Sequence, residues 1–145
     1  MKNIVVYESA TGRFKRRLII RDSLVSLNVD ASESYIENID DVNLERHYMV
    51  GSVVTARPRM AIDFGQTTLL PDEEVTISGI PNGAILAITG KGSGAQMITT
   101  GSIVLSFPAG DWRVSITLFP YIQEVIKYYA RAAVIPAKAR YNFFH

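Results

Sequence analysis

The chain of 145 residues contains no cysteine, which excludes a disulfide framework, a thiolate nucleophile and a thiolate metal site. That suits synthesis in a reducing compartment, and a soluble protein made in the cytoplasm is expected. Only two histidines are present, His47 and His145, too few for a histidine metal cluster. A Ser-His-Asp arrangement needs a base beside a nucleophile, and no G-x-S-x-G elbow occurs. Phosphate-binding loops require G-x-x-x-x-G-K-[ST] between a strand and a helix. Gly90-Lys91-Gly92-Ser93-Gly94 has neither that spacing nor that setting and reads as a hairpin tip. The carboxylates Asp30, Glu33, Glu37, Asp40, Asp41 and Glu45 lack the spacing of a calcium loop. No apolar run approaches the roughly 18 residues of a membrane helix, and Ile4-Val5-Val6 is too short for a signal-peptide core. These gaps predict no enzyme, no cofactor, no metal and no membrane insertion. A small hydrolase with paired carboxylates stands as the enzymatic rival, because that pairing is spatial rather than sequential.

What is present is apolar sequence in short pieces. The apolar fraction of 48% supports a real core, and 20% charged residues do not describe a disordered chain. Net charge is +1, so no overall field draws the protein to nucleic acid. The charge is nevertheless segregated. Residues 1–21 hold six basic side chains and Glu8, and residues 22–45 hold seven acidic ones and no basic one. After Glu124 come Lys127, Arg131, Lys138 and Arg140 with no acid. Such blocks suit internal pairing or docking to complementary neighbours.

Alternation with period two runs through much of the chain, as strands with one buried face require. KNIVVY (2–7) and RFKRRLIIR (13–21) read as two strands around a turn at Gly12, the second with imperfect alternation. Its Arg/Lys run is either a solvated strand face or a basic patch for an acidic partner. Asp40–Arg46 reads as one helical turn capped by Asp40. His47–Pro58 reads as a tight hairpin about Gly51-Ser52, ended by a proline that cannot donate to a ladder. From Met60 short strands recur between turn signals, the pattern of an antiparallel sandwich. Met60–Phe64 is expected as the first of them. Gly101–Tyr121 is expected as a central hairpin, with Trp112, Val114, Ile116 and Leu118 in the core. In 122–133 the residues Ile122, Val125, Ile126, Tyr129 and Ala133 fit a 3.6-residue period, so a helix ended by Pro136 is favoured over a closing strand. The terminal stretch 137–145 carries Lys138, Arg140, Tyr141, Phe143 and Phe144, residue types enriched at interface anchors; it either docks on a partner or folds back. The resulting fold is all-β. A β-hairpin module occupies 1–58, an Ig-like antiparallel β-sandwich 59–121, and a helical or extended arm 122–145.

Two stretches carry a family resemblance. One is the hairpin motif on Tyr48, Gly51, Val53 and Arg57-Pro58. The other comprises Ile77, Gly79, Pro81, Gly83, Phe107-Pro108, Gly110, Trp112, Val114 and Phe119-Pro120-Tyr121. In this order they resemble the small tail-associated structural proteins of tailed bacteriophages, in which a β-rich N-terminal module precedes an Ig-like sandwich. The likeness covers about residues 1–121, and the chain departs from the pattern after Tyr121. The resemblance implies a non-enzymatic virion component of the tail, baseplate or tail-fibre attachment region, made in the host cytoplasm. It implies homo-oligomeric assembly and contact with tail, portal-adjacent or fibre chains, without nucleic acid. The partner-binding residues expected are Arg13, Lys15, Arg16 and Arg17 in the hairpin and Arg140, Tyr141, Phe143 and Phe144 in the arm. The alternative is a capsid decoration or host-surface carbohydrate-binding Ig-like module.

Overall fold

The computed structural model describes residues 1–37 and 41–132, and the protein is all-β. The chain forms two compact units. The first is Met1–Arg59 with Phe119–Ile122; the second is Met60–Leu118 with the chain from Gln123 onward.

The first unit is built on β1 (Lys2–Glu8), the middle strand of an antiparallel sheet with β2 (Phe14–Ile20) and β3 (Glu33–Glu37). Three consecutive residues of β1, Ile4, Val5 and Val6, are buried because both faces of the strand are covered. Ile4 and Val6 pack with Val25 of a one-turn helix (Val25–Asn28) and with Leu18 and Ile20. Val5 packs on the other side with Phe14, Val42 and Met49. The irregular alternation of β2 has a local cause. Val6 pairs with Arg16 and Tyr7 with Phe14, leaving Lys15 as the extra residue of a β-bulge.

β4 (His47–Val50) and β5 (Val53–Ala56) form the expected hairpin. Gly12, at φ +79°, lies against it: a Cβ there would collide with the Met49 carbonyl oxygen, so only glycine fits. The turn before β4 is described from Asp41 onward. Asp40 lies outside the described residues, and the capping group is Asn43. Its Oδ1 accepts from the Glu45 and Arg46 N–H groups, and its carbonyl accepts from the His47 N–H. His47 Nδ1 in turn accepts from the Asn43 N–H at 2.9 Å, which makes this histidine part of the turn.

The second unit is a sandwich-like pair of sheets. Its larger sheet has the order β6-β12-β11-β8-β9, made of β6 (Thr68–Leu69), β8 (Ala84–Thr89), β9 (Ser93–Ile98), β11 (Gly110–Thr117) and β12 (Glu124–Ala130). The smaller one pairs β7 (Glu74–Ser78) with β10 (Ser102–Ser106). All pairs are antiparallel except β6 with β12. Three expectations are corrected here.

The central hairpin does not exist as a ladder. β10 pairs with β7, β11 pairs with β8 and β12, and Phe107–Ala109 carries the chain from one sheet to the other. Phe107 occupies the interior at this crossing. Its ring stacks on Tyr128 with centroids 5.2 Å apart and leans on Trp112 at 5.5 Å. Both apolar rows therefore face one core from opposite layers. Val114 and Ile116 are fully buried and Trp112 nearly so, while Leu118 is half-buried.

The favoured helix at 122–133 is instead the strand β12. Tyr128 and Ala130 are buried on its inner face while Val125 lies exposed on the other, a period of two. Its β-branched and aromatic residues serve either period, and the waiting edge of β11 selects the strand. Met60–Phe64 is not a strand either. It is pinned by single contacts: Asp63 bridges Ser78, and the Phe64 carbonyl accepts from the Tyr128 hydroxyl at 2.7 Å.

Candidate functional site

The basic run over residues 13–17 is brought into the first unit's own structure at three of its four positions. The bulge at Lys15 turns two successive cations toward one carboxylate, Glu33, whose side chain is 2% exposed. Arg16 donates to both Glu33 oxygens at 2.8 and 2.9 Å, and Lys15 Nζ lies 2.9 Å from Oε2. These bonds, Arg16 first, hold the Glu33 carboxyl far below the usual carboxylate range. The same contact raises Lys15 and Arg16. Arg17 donates to the Val42 carbonyl at 2.6 Å from the opposite face. Arg13 stays exposed, its guanidinium 5.6 Å from the centre of the Phe119 ring. Arg140, Tyr141, Phe143 and Phe144 lie outside the described residues.

Around Phe119 the two quoted motifs meet. Tyr48 packs edge-on to its ring at 5.6 Å, and Arg57 sits over it at 5.0 Å. Arg57 also donates to the His47 and Leu44 carbonyls, both at 3.3 Å. Burial, and then the nearby charge of Arg13, lower the pKa of Arg57. The parallel bridge of Arg59 with Ile122 and the bond from the Ile122 N–H to the Pro58 carbonyl fasten the same segment. This cluster holds 119–122 within the first unit.

A second assembly of charge lies on the larger sheet of the second unit and was not anticipated. Arg113 of β11 stands directly opposite Lys127 of β12 in register, and Thr89 of β8 is the partner of Arg113 on its other side. With Tyr129 and Asp111 they line an open cleft of about 420 Å³. Asp111 is engaged by Arg131 at 2.9 Å, and the Arg131 guanidinium also lies over the Tyr129 ring at 5.3 Å. Arg113 and Lys127 form no ion pair among the described residues. Like charges directly opposed across a ladder are unfavourable unless something anionic joins them. In sequence the pair was hidden by reading Lys127 as helical, which removes its register with Arg113.

The third feature is an edge. β9 ends the larger sheet, bonded on one side to β8 through six consecutive residue pairs without a bulge. Ser93–Met97 is exposed throughout and carries no charge and no proline. Beside the edge, Met97 pairs with Ile85, and both are exposed, with Val125 on the same face. Among the described residues no group of three or more histidine, aspartate or glutamate side chains is placed to hold a metal ion. No described helix is long and apolar enough to cross a membrane. Comparison of the chain with protein-family models, with curated proteins and with solved structures gives no match.

Proposed function

We propose that this chain is a non-enzymatic structural component of a bacteriophage virion, placed in the tail, baseplate or tail-fibre attachment region and acting by protein–protein docking. The virion part rests on the resemblance of Tyr48, Arg57-Pro58 and Phe119-Pro120-Tyr121 to tail-associated proteins. In this chain Tyr48 and Arg57 both pack on the Phe119 ring. The docking part rests on β9. A six-residue edge with no charge, proline or bulge, and with no second strand beside it among the described residues, presents backbone donors and acceptors, the feature that proteins ordinarily blunt. Such an edge accepts a strand from a neighbouring chain, main-chain bonds supplying affinity and the Ile85–Met97 pair supplying apolar contact.

The test places charge on that edge. In an Ala95→Lys, Met97→Lys variant the fold should hold, since both sites are exposed; a stability change within about 0.5 kcal/mol is expected by Trp112 fluorescence. Binding to virion proteins encoded beside this gene should fall. Unchanged binding refutes docking through β9, and a gene neighbourhood without tail or capsid genes refutes the virion assignment.

A further inference from the structure

Most of the described charged side chains of the second unit lie toward one end. Ten are described there: Asp63, Asp72, Glu73, Glu74, Lys91, Asp111, Arg113, Glu124, Lys127 and Arg131. Only Asp63 and Glu124 lie at the other end, beside Ser78 and Ile116 respectively. The remaining eight surround the crossing at Phe107–Ala109. Glu74 pairs with Ser106 just before it, and Gly110 pairs with Ala130 just after it. The Asp72 N–H donates to the Phe107 carbonyl at 2.8 Å, and the Arg131 N–H donates to the Leu69 carbonyl at 2.9 Å.

Within that end the signs are separated. The cations lie about the cleft on the larger sheet, with Arg113 and Lys127 at its centre. The acids Asp72, Glu73 and Glu74 form the turn that leads into β7, beside Leu70, which is half exposed. One ion pair, Arg131 with Asp111, joins charges of opposite sign among the eight. The Glu73 carboxylate accepts from the Leu70 N–H at 3.3 Å and makes no ion pair among the described residues. No acidic side chain lies between Glu124 and His145 in the sequence.

Patches of opposite sign toward one end, one on each sheet, can be complementary under a two-fold rotation, because each patch then meets the other patch of a second copy. We propose that this end is a homodimer contact, in which the turn Asp72–Glu74 of each copy seats against the Arg113–Lys127 cleft of the other. The proposal rests on the docking reading only in taking a protein as partner, and it does not use β9. The contact is made of exposed charges, so it is weak alone and screened by salt. It gains strength where many copies are held together.

Charge exchange in the full-length chain tests this by sedimentation at low and high salt. The wild-type chain should self-associate at low salt, with affinity falling at least about tenfold between 20 and 500 mM salt. Arg113→Glu with Lys127→Glu should abolish association, and so should Glu73→Lys with Glu74→Lys. An equimolar mixture of the two variants should dimerise again, since each reversed patch then meets its complement, and the chain carrying all four changes should self-associate. Trp112 fluorescence reports whether each variant is folded; if a reversal unfolds the unit, Arg113→Gln with Lys127→Gln replaces it and should weaken association about tenfold or more. A wild-type chain that stays monomeric, as expected if Lys138 and Arg140 neutralise the turn of their own copy, overturns the proposal. Association indifferent to both reversals, or reversals that are not rescued by mixing, also overturns it. Failure here with loss of partner binding in the β9 variant leaves the docking reading standing.

Discussion

Tyr128 lies at the centre of the second unit's core, and its replacement by phenylalanine yields a prediction with two signs. The ring is fully buried and stacked on Phe107, and its hydroxyl donates to the Phe64 carbonyl at 2.7 Å. Phenylalanine keeps the ring and the stack but leaves the Phe64 carbonyl without that donor, a loss of about 1–2 kcal/mol at neutral pH. Burial, with a smaller contribution from the Asp63 charge, pushes the Tyr128 phenol up to about 12 from its ordinary value of 10.0. A folded-state value above the unfolded one means that the unfolded chain gives up its proton first as pH rises. The stabilisation is therefore whole below pH 10 and is lost progressively toward pH 12. Each pH unit in that window costs about 1.4 kcal/mol, so roughly 2–3 kcal/mol disappears across it. Tyr128→Phe has no proton to lose at this position. The wild-type advantage should vanish near about pH 11 and reverse above it.

Urea titrations between pH 7 and 12, followed by fluorescence, measure both limbs. Trp112 is the only tryptophan and belongs to the same unit, so the signal reports this core. Other titrating groups are common to both proteins and cancel in the difference. A gap between the two chains that stays constant from pH 7 to 12 refutes the buried phenol, and equal stability at pH 7 refutes the bond to Phe64.

In the first unit, Gly12→Ala should be costlier than Gly51→Ala when both are measured by urea unfolding with circular dichroism. Both glycines have positive φ, worth about 1–2 kcal/mol against alanine, but only at Gly12 does the new Cβ also meet the Met49 carbonyl, while at Gly51 it meets open space. Equal costs at the two sites refute the close approach. Glu33→Gln should destabilise this unit at neutral pH. The Glu33 carboxyl is held below its ordinary value of 4.5, so its contribution is present above that pH and is lost as pH falls. The difference between wild type and variant should shrink on acidification below pH 4.5, and a difference that grows there contradicts the pairing with Arg16 and Lys15.

The all-β class and most strand positions were legible because half-buried strands write their period directly into the sequence. β7, β8 and β11 alternate, and each buries the row that alternation marks. Which strand pairs with which was not legible. Ile103–Phe107 and Trp112–Leu118 flank a turn cluster and look like a hairpin, yet a chain of this length can also cross between layers. The decision falls to Phe107, whose ring fills the interior between Trp112 and Tyr128. In 122–133 the helical period takes Ile122, Val125, Ile126, Tyr129 and Ala133, whereas the strand buries Tyr128 and Ala130 and leaves Val125 exposed, so pattern alone favours the helix. The open edge of β11, a tertiary fact, settles the strand.

The same limit governs the charges. Counting cations over residues 13–17 gives four candidates for an acidic partner, and composition cannot tell a free cation from a paired one. A single bulge decides the matter locally: it turns Lys15 and Arg16 toward one buried carboxylate, so changing either alters the stability of the first unit before it alters any surface. Arg113 and Lys127 draw no notice in sequence, being fourteen positions apart at ordinary exposed sites. Strand pairing sets them directly opposite one another with no ion pair among the described residues, whereas Lys15 and Arg16 of the denser run are paired with Glu33. Among the described residues, unpaired charge rather than abundant charge is the better guide to a candidate contact surface. By that measure the cleft between β11 and β12 outranks the basic run of the N-terminal hairpin.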